Sequence, residues 1–177
     1  MYHIKHDKRA EASVDLICAG LMDCLAEKSF ADITISDIQR ASTVSRSTFY
    51  RNFDRIEDVL SLMCDRVFEA AFSSGSEEIR QEVFSQWFKN AEIIETIVQI
   101  KRGDLLFESL RRSAARFGRF EGIEQGSQLY NYLISMIASA MMGIIVTWVE
   151  HGKKEDESEL KAVVGQCFAA LIAFGVI

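Results

Sequence analysis

The sequence predicts an all-α protein, and three features carry that expectation. None of its 177 residues is proline, where an average usage of ~5% would supply about nine. No backbone N–H donor is therefore lost, and helix can follow helix without a forced break. Apolar residues recur at helical spacing along most of the chain, and capping residues or glycines stand at the expected ends. With 49% hydrophobic and 26% charged residues, the composition is that of a folded chain that buries a sizeable core. The absence of proline also excludes any site built on a cis-proline or a proline-rich docking segment.

A first helix is expected from about Lys5 to Lys28, with Val14, Ile17, Cys18, Leu21 and Leu25 on one face. Phe30 and Ile33 anchor a short connection. Thr34 is placed to cap a short helix ending near Ala41, because Asp37 stands at its third position in a variant of the capping box. Ser42, Thr43 and Val44 form a turn, and Ser45 caps a third helix from Arg46 to Asn52. Asp54 and Glu57 repeat the cap-plus-acid pattern before a fourth helix, whose inner face carries Ile56, Val59, Leu60, Met63, Val67 and Phe68. A polar break follows at Ser73–Ser76. Further helices are expected at about 77–89, 91–102, 104–117, 126–150 and 157–175, about nine in all. Gly103, Gly118, Gly122, Gly126 and Gly152 lie at or near their ends. A division is expected between residues 1–54 and 55–177.

Residues 34–53, TISDIQRASTVSRSTFYRNF, carry the functional signal. Two short capped helices joined by a tight turn, with Ile38, Ala41, Val44, Phe49 and Phe53 inward, describe a helix-turn-helix. Ala41 is the small residue expected where the helices cross. Arg46, Ser47, Thr48, Tyr50 and Arg51 are left outward. Cations, hydroxyls and a phenol donate to phosphates and read base edges, and none suits proton transfer or nucleophilic catalysis. The net charge of −6 has the wrong sign for coating nucleic acid non-specifically. Locally the sign reverses: Arg40, Arg46, Arg51 and Arg55 face only Asp54 between positions 40 and 55.

The stretch from about residue 8 to 68 resembles the DNA-binding domain of the tetracycline-repressor (TetR) family of transcriptional regulators. The resemblance rests on Thr34, Ile38, Ala41, Val44-Ser45, Thr48-Phe49-Tyr50, Phe53, Glu57-Asp58 and Leu60. It implies phosphate contacts from Thr34, Ser45 and Tyr50, and base reading by Arg46, Ser47 and Thr48, with Arg51 beside them. Three positions depart from the family pattern. Thr43 replaces the usual turn glycine, so an altered turn is expected. Ile56 replaces a lysine, and Arg55 is expected to supply that phosphate contact. Arg55 also replaces the usual serine cap, which shifts capping to Asp54. Farther on, MGIIVTWVEHGKKEDESEL (142–160) is similar to a subgroup that includes regulators resembling the activator of dihydroxyacetone kinase operons.

The resemblance implies a homodimer on a palindromic operator, tuned by an unidentified small-molecule effector. Candidate pocket residues are Trp87, Phe88, Phe107, Leu110, Arg111, Tyr130 and Met141, any of which could equally be core. The basic run 101–119, with Arg111, Arg112 and Arg116, fits either an anionic effector or a solvated face. The last two helices, long and apolar, are expected to pair with their copies as a four-helix bundle. Ala140, Ile144, Trp148, Phe168 and Ile172 are placed on that face. A membrane hairpin over 133–177 is the competing reading, but Ser135, Ser139, Gly143 and Thr147 interrupt the apolar run and the connection shows no strong positive bias. Cys18, Cys24, Cys64 and Cys167 are too dispersed for a zinc set, and buried free thiols are expected. His3, His6 and His151 assemble no metal or catalytic site. No cofactor is implied, and the opening residues lack a signal-peptide core, which fits a cytoplasmic, nucleoid-associated protein. Two functional classes stand: a ligand-responsive DNA-binding dimer, and a helical interaction or membrane-associated protein using 133–177. A regulator acting through a protein partner without an effector is a variant of the first.

Overall fold

The structure, a computed structural model, describes residues 2–4, 8–72, 79–117, 120 and 122–175. Among these the regular structure is nine α-helices and one 3-10 turn. The helices are α1 (Lys8–Glu27), α2 (Ile35–Ser42), α3 (Arg46–Asn52), α4 (Ile56–Phe72), α5 (Ile79–Lys89), α6 (Ala91–Gln99), α7 (Gly103–Phe117), α8 (Gln128–Glu150) and α9 (Glu157–Ala173), with the 3-10 turn at Phe30–Asp32. The all-α expectation is met. Lys5, the break at 73–76, residues 77–78 and Gly118 lie outside the described residues.

α1, α2 and α3 form a head, and α4 runs from it into a body made by α5 to α9. The face expected on α1 is buried at Val14, Ile17, Cys18 and Leu21, with Leu25 at its edge. On α4, Val59, Leu60, Met63, Val67 and Phe68 are buried and Ile56 is partly so. This face is shared: α4 packs on α1 and on α5 and α7. Fully burying each such side chain contributes about 1.5–3 kcal/mol, so α4 joins two halves of one core.

The close crossing of the head lies one residue beyond the expected Ala41, which is exposed. Gly20 of α1 meets Ser42 of α2 so tightly that a Cβ on Gly20 would lie 2.8 Å from the Ser42 Cβ. Ser42 is buried instead, and its Oγ accepts the Val44 N–H at 3.3 Å, starting the turn. Thr43 holds a left-handed backbone, φ 58°. The expected alteration of that turn is thus absent: threonine adopts the conformation that glycine would favour.

One glycine expectation is corrected. Gly103 begins α7 rather than ending α6. The left-handed residue after α6 is Lys101, φ 59°, where N–H groups of Lys101 and Arg102 donate back to Val98 and Ile97, the bonding pattern of a Schellman motif. Gly122, Gly126 and Gly152 do take positive φ. At the start of α4 the acid that folds back is Asp58, whose carboxylate accepts the N–H of Arg55 at 3.0 Å and of Asp54 at 3.1 Å. Glu57 instead faces Arg102 at 4.0 Å.

Polar ties brace α4 on three sides. Arg66 pairs with Asp15 of α1 at 2.8 Å, and Arg116 of α7 pairs with Glu69 at 2.9 Å. Asp65, 5% exposed, accepts from Arg112 and Ser109 of α7 and from the Tyr2 phenol. Tyr2 also forms an antiparallel bridge to Phe53, and the His3 N–H donates to the Asn52 carbonyl at 3.0 Å. Residues 2–4 therefore lie as a strap across the junction of α3 and α4.

α8 is apolar enough along its 23 residues to cross a membrane by length and composition, but Tyr130, Ile134, Ala138, Ile145 and Trp148 turn into the core. Trp148 packs on Phe88, ring centroids 4.7 Å apart, and its indole N–H donates to the Glu155 carbonyl. α9 buries little besides Leu160. Of the four thiols, Cys18, Cys24 and Cys64 are buried as expected, whereas Cys167 is exposed on α9.

Candidate nucleic-acid interface

Local chemistry fixes both helices of the motif. The Thr34 hydroxyl accepts the Asp37 N–H at 3.2 Å while the Asp37 carboxylate accepts the Thr34 N–H at 2.9 Å, completing the capping box. Hydrogen bonds from Thr34, then from Lys28, hold the Asp37 carboxyl well below the usual carboxylate range. The Thr34 hydroxyl proton is also given to Asp37, at 2.7 Å. Both Thr34 donors are thus engaged inside the protein, so a phosphate here must displace Asp37 or take an α2 backbone N–H instead.

Ser45 caps α3 by accepting the Thr48 N–H at 3.2 Å. Its Oγ lies 2.9 Å from both the Ser47 and Thr48 hydroxyls, a hydroxyl cluster at the positive end of the helix dipole. Phe49 and Phe53 anchor the opposite face at 1% and 0% exposure. Arg46, Ser47, Tyr50 and Arg51 are exposed, and Thr48 is half-buried. The Arg46 guanidinium lies over the Tyr50 ring, 5.6 Å from its centroid, and an Arg46 N–H donates to the Tyr50 hydroxyl at 3.4 Å. Arg51 donates to the Thr48 hydroxyl at 3.3 Å. These partners are neutral, so both guanidinium charges remain available to an anion. Arg55 is exposed past the end of α3. Five of the eight expected contact residues therefore lie on α3, with Ser45 at its N-cap and Thr34 and Arg55 flanking it.

The strap and Asn52 escape sequence reasoning. Asn52 is buried and its amide donates to the Thr48 carbonyl at 2.8 Å, closing the end of α3. A lone Asn between an arginine and a core Phe carries only a weak signal. Asp65 was more legible: it is the one acid in the apolar stretch LSLMCDRVF.

The pocket candidates do not meet in one cavity. Trp87, Leu110 and Tyr130 are buried in the core, while Phe88 and Met141 pack against it. Phe107 borders one open groove between α7 and α8, and Arg111 another of about 310 Å³. The basic run on α7 is partly consumed by ion pairs: Arg112 with Asp65 and Arg116 with Glu69. Two buried side-chain atoms have no hydrogen-bond partner among the described residues: the Trp87 indole N–H and Oε2 of Glu155. On the expected dimer face, Ala140, Phe168 and Ile172 are exposed and Ile144 is half-buried. Trp148 is only 3% exposed, a core residue that presents nothing to a partner.

No family model matches the chain. A 61-residue stretch is 39% identical to an uncharacterized HTH-type transcriptional regulator of Bacillus subtilis (strain 168), YxbF; it spans 34% of this chain and 16% of that protein. Solved structures align over nearly the whole chain. Lin0861 from Listeria innocua superposes with a TM-score of 0.79 at 16% identity, covering 96% of each chain. A TetR transcriptional regulator from Streptococcus agalactiae 2603V does so at 0.62 and 20% identity, covering 89% of this chain and 93% of that one. The chain has the TetR-regulator fold. The dihydroxyacetone kinase operon activator DhaS shares it at a TM-score of 0.53 and 17% identity, over 91% of this chain and 94% of that one. Within the TetR fold the arginine-bearing α3 is the second helix of the helix-turn-helix, and α8 and α9 close the body.

Proposed function

We propose that this chain is a DNA-binding transcriptional regulator that acts as a homodimer on a two-fold symmetric operator. The observation that carries the reading is α3: a capped, doubly Phe-anchored helix whose exposed face holds Arg46, Ser47, Tyr50 and Arg51 and no acid. In this reading α3 of each copy enters the major groove of one half-site. Arg46, Ser47 and Thr48 read base edges, while Ser45, Tyr50, Arg51 and Arg55 hold phosphates. Residues 1–54 are the reading head and 55–177 the regulatory body. The bare apolar surface of α9, with Phe168 and Ile172 at 47% and 65% exposure and Phe174 just past its end at 81%, supports pairing of α8 and α9 with a second copy.

A small-molecule effector fits the same picture. The unpartnered Trp87 N–H lies in the core of the body, where leaving a donor unsatisfied costs about 1–3 kcal/mol. A small molecule would regulate only through different affinities for the two head arrangements. The protein would then work on DNA in the cytoplasm, without catalysis.

A gel shift with promoter DNA near its own gene tests the reading. Specific, salt-sensitive binding that Arg46→Ala removes is the expected result; solubility only in detergent, with no duplex bound, is the result that would favour a membrane-associated protein.

A further inference from the structure

We propose that Asp65 is a positioning residue for α3, relaying the placement of α7 to the reading helix through the Tyr2 phenol. The inference rests on the DNA-binding reading, but its decisive measurement uses no DNA.

Asp65 sits in the third turn of α4, 5% exposed, and both carboxylate oxygens are occupied. Tyr2 donates to Oδ2 at 2.6 Å. Ser109 and Arg112 donate to Oδ1 at 2.5 and 2.8 Å, and Arg112 reaches Oδ2 as well at 3.1 Å. A buried carboxylate holds its place only if such donors stay, so the three elements around it cannot shift independently. Two of the donors come from α7 in the body. The third comes from the strap, whose backbone is fixed to the last residue of α3 and the one after it. Asn52, which takes the His3 N–H on its carbonyl, also ties its amide to Thr48 in the middle of α3. A path of hydrogen bonds and covalent backbone thus leads from α7 through Asp65, Tyr2, His3 and Asn52 to the Thr48 carbonyl in the middle of α3. The recognition helix, seven residues long, is too short to hold its own orientation and takes it from such outside contacts. Burial, then the Asp65 carboxylate, push the Tyr2 phenol well above its ordinary titration range, so the phenol keeps the proton that it donates.

The test is backbone hydrogen exchange of the full chain, read helix by helix, for wild type, Tyr2→Phe, Arg112→Gln and the double variant. Tyr2→Phe keeps the ring and removes only the hydroxyl. Exchange in residues 46–53 is expected to rise on the order of tenfold, the size of one lost hydrogen bond to a charged group, with α8 unchanged. Arg112→Gln should loosen the same residues, and should add nothing further in the Tyr2→Phe background, because both changes break one path. Unchanged α3 exchange in Tyr2→Phe, acceleration spread evenly over every helix, or independent addition of the two substitutions would each overturn the proposal. Affinity for the operator is measured alongside. Tyr2→Phe should lower specific binding several-fold while keeping the salt slope, since no phosphate contact is lost. If wild type binds no duplex, the DNA-binding reading fails by itself and the exchange result still decides whether Asp65 relays.

Discussion

Thr43 occupies a left-handed backbone at φ 58°, which costs a β-branched residue roughly 1–2 kcal/mol. Thr43→Gly removes that strain but frees the unfolded chain, a counter-term of about 0.5–1 kcal/mol. The expected outcome is a gain of up to about 1 kcal/mol, seen as a higher melting temperature with DNA binding retained. Gly20 makes the opposite case. A Cβ there would lie 2.8 Å from Ser42 Cβ and 2.9 Å from its backbone nitrogen, and neither can move without opening the α1–α2 crossing. Gly20→Ala should destabilise by about 1–3 kcal/mol, measurable by urea unfolding. At the interface, Arg46→Ala should cost about 1–3 kcal/mol of specific affinity and relax preference at one base pair. Tyr50→Phe should weaken binding to all duplexes alike. It also releases Arg46 from its hydrogen bond, so a change in sequence preference would show that Tyr50 sets the Arg46 conformation.

Single helices were legible where their ends carry chemistry of their own. The Thr34–Asp37 and Ser45–Thr48 caps are local, so α2 and α3 stand where the sequence places them. Ala41 was misplaced because helical spacing alone cannot say which of two small neighbours meets α1; Gly20, on a different helix, decides it in space. Trp148 was misplaced because an apolar helix gives no direction when both of its faces are apolar. The strap was invisible: its bonds join residues 2 and 65, and 3 and 52. The Asp37 cap yields a pH prediction. Its carboxyl is held below the ordinary value by Thr34 and Lys28, so the folded state binds its proton less readily than the unfolded chain. That contribution is complete above the unfolded carboxylate pKa of about 3.9, and is lost as pH falls from there through the lower folded value. Asp37→Asn should therefore flatten the acid limb of the stability curve below about pH 4, and leave the neutral-to-alkaline limb unchanged in slope.

In the molecule as a whole, the exposed apolar side chains gather on α8 and α9. Leu129, Tyr132 and Met136 are 60–65% exposed, and Ile172 on α9 and Phe174 just past its end are at least as bare. α9 meets the rest of its own chain chiefly at α5, and Leu160 is its one buried residue. So much uncovered apolar surface on two consecutive helices calls for a partner, and a second copy would set two α3 helices at one fixed spacing. Sedimentation equilibrium should return twice the chain mass of 20.0 kDa. Phe168→Asp with Ile172→Asp places charge in the centre of the α9 surface and should yield folded monomers, since neither side chain belongs to the core. Those monomers should lose high-affinity operator binding while keeping weak, salt-sensitive binding to any duplex, because each head is intact but no longer held at its neighbour's distance. Cys167, exposed on the same helix, supplies an independent reading: its thiol should react slowly in the dimer and rapidly in the double variant. A dimer that survives both aspartates with Cys167 equally reactive would place the interface elsewhere on the body.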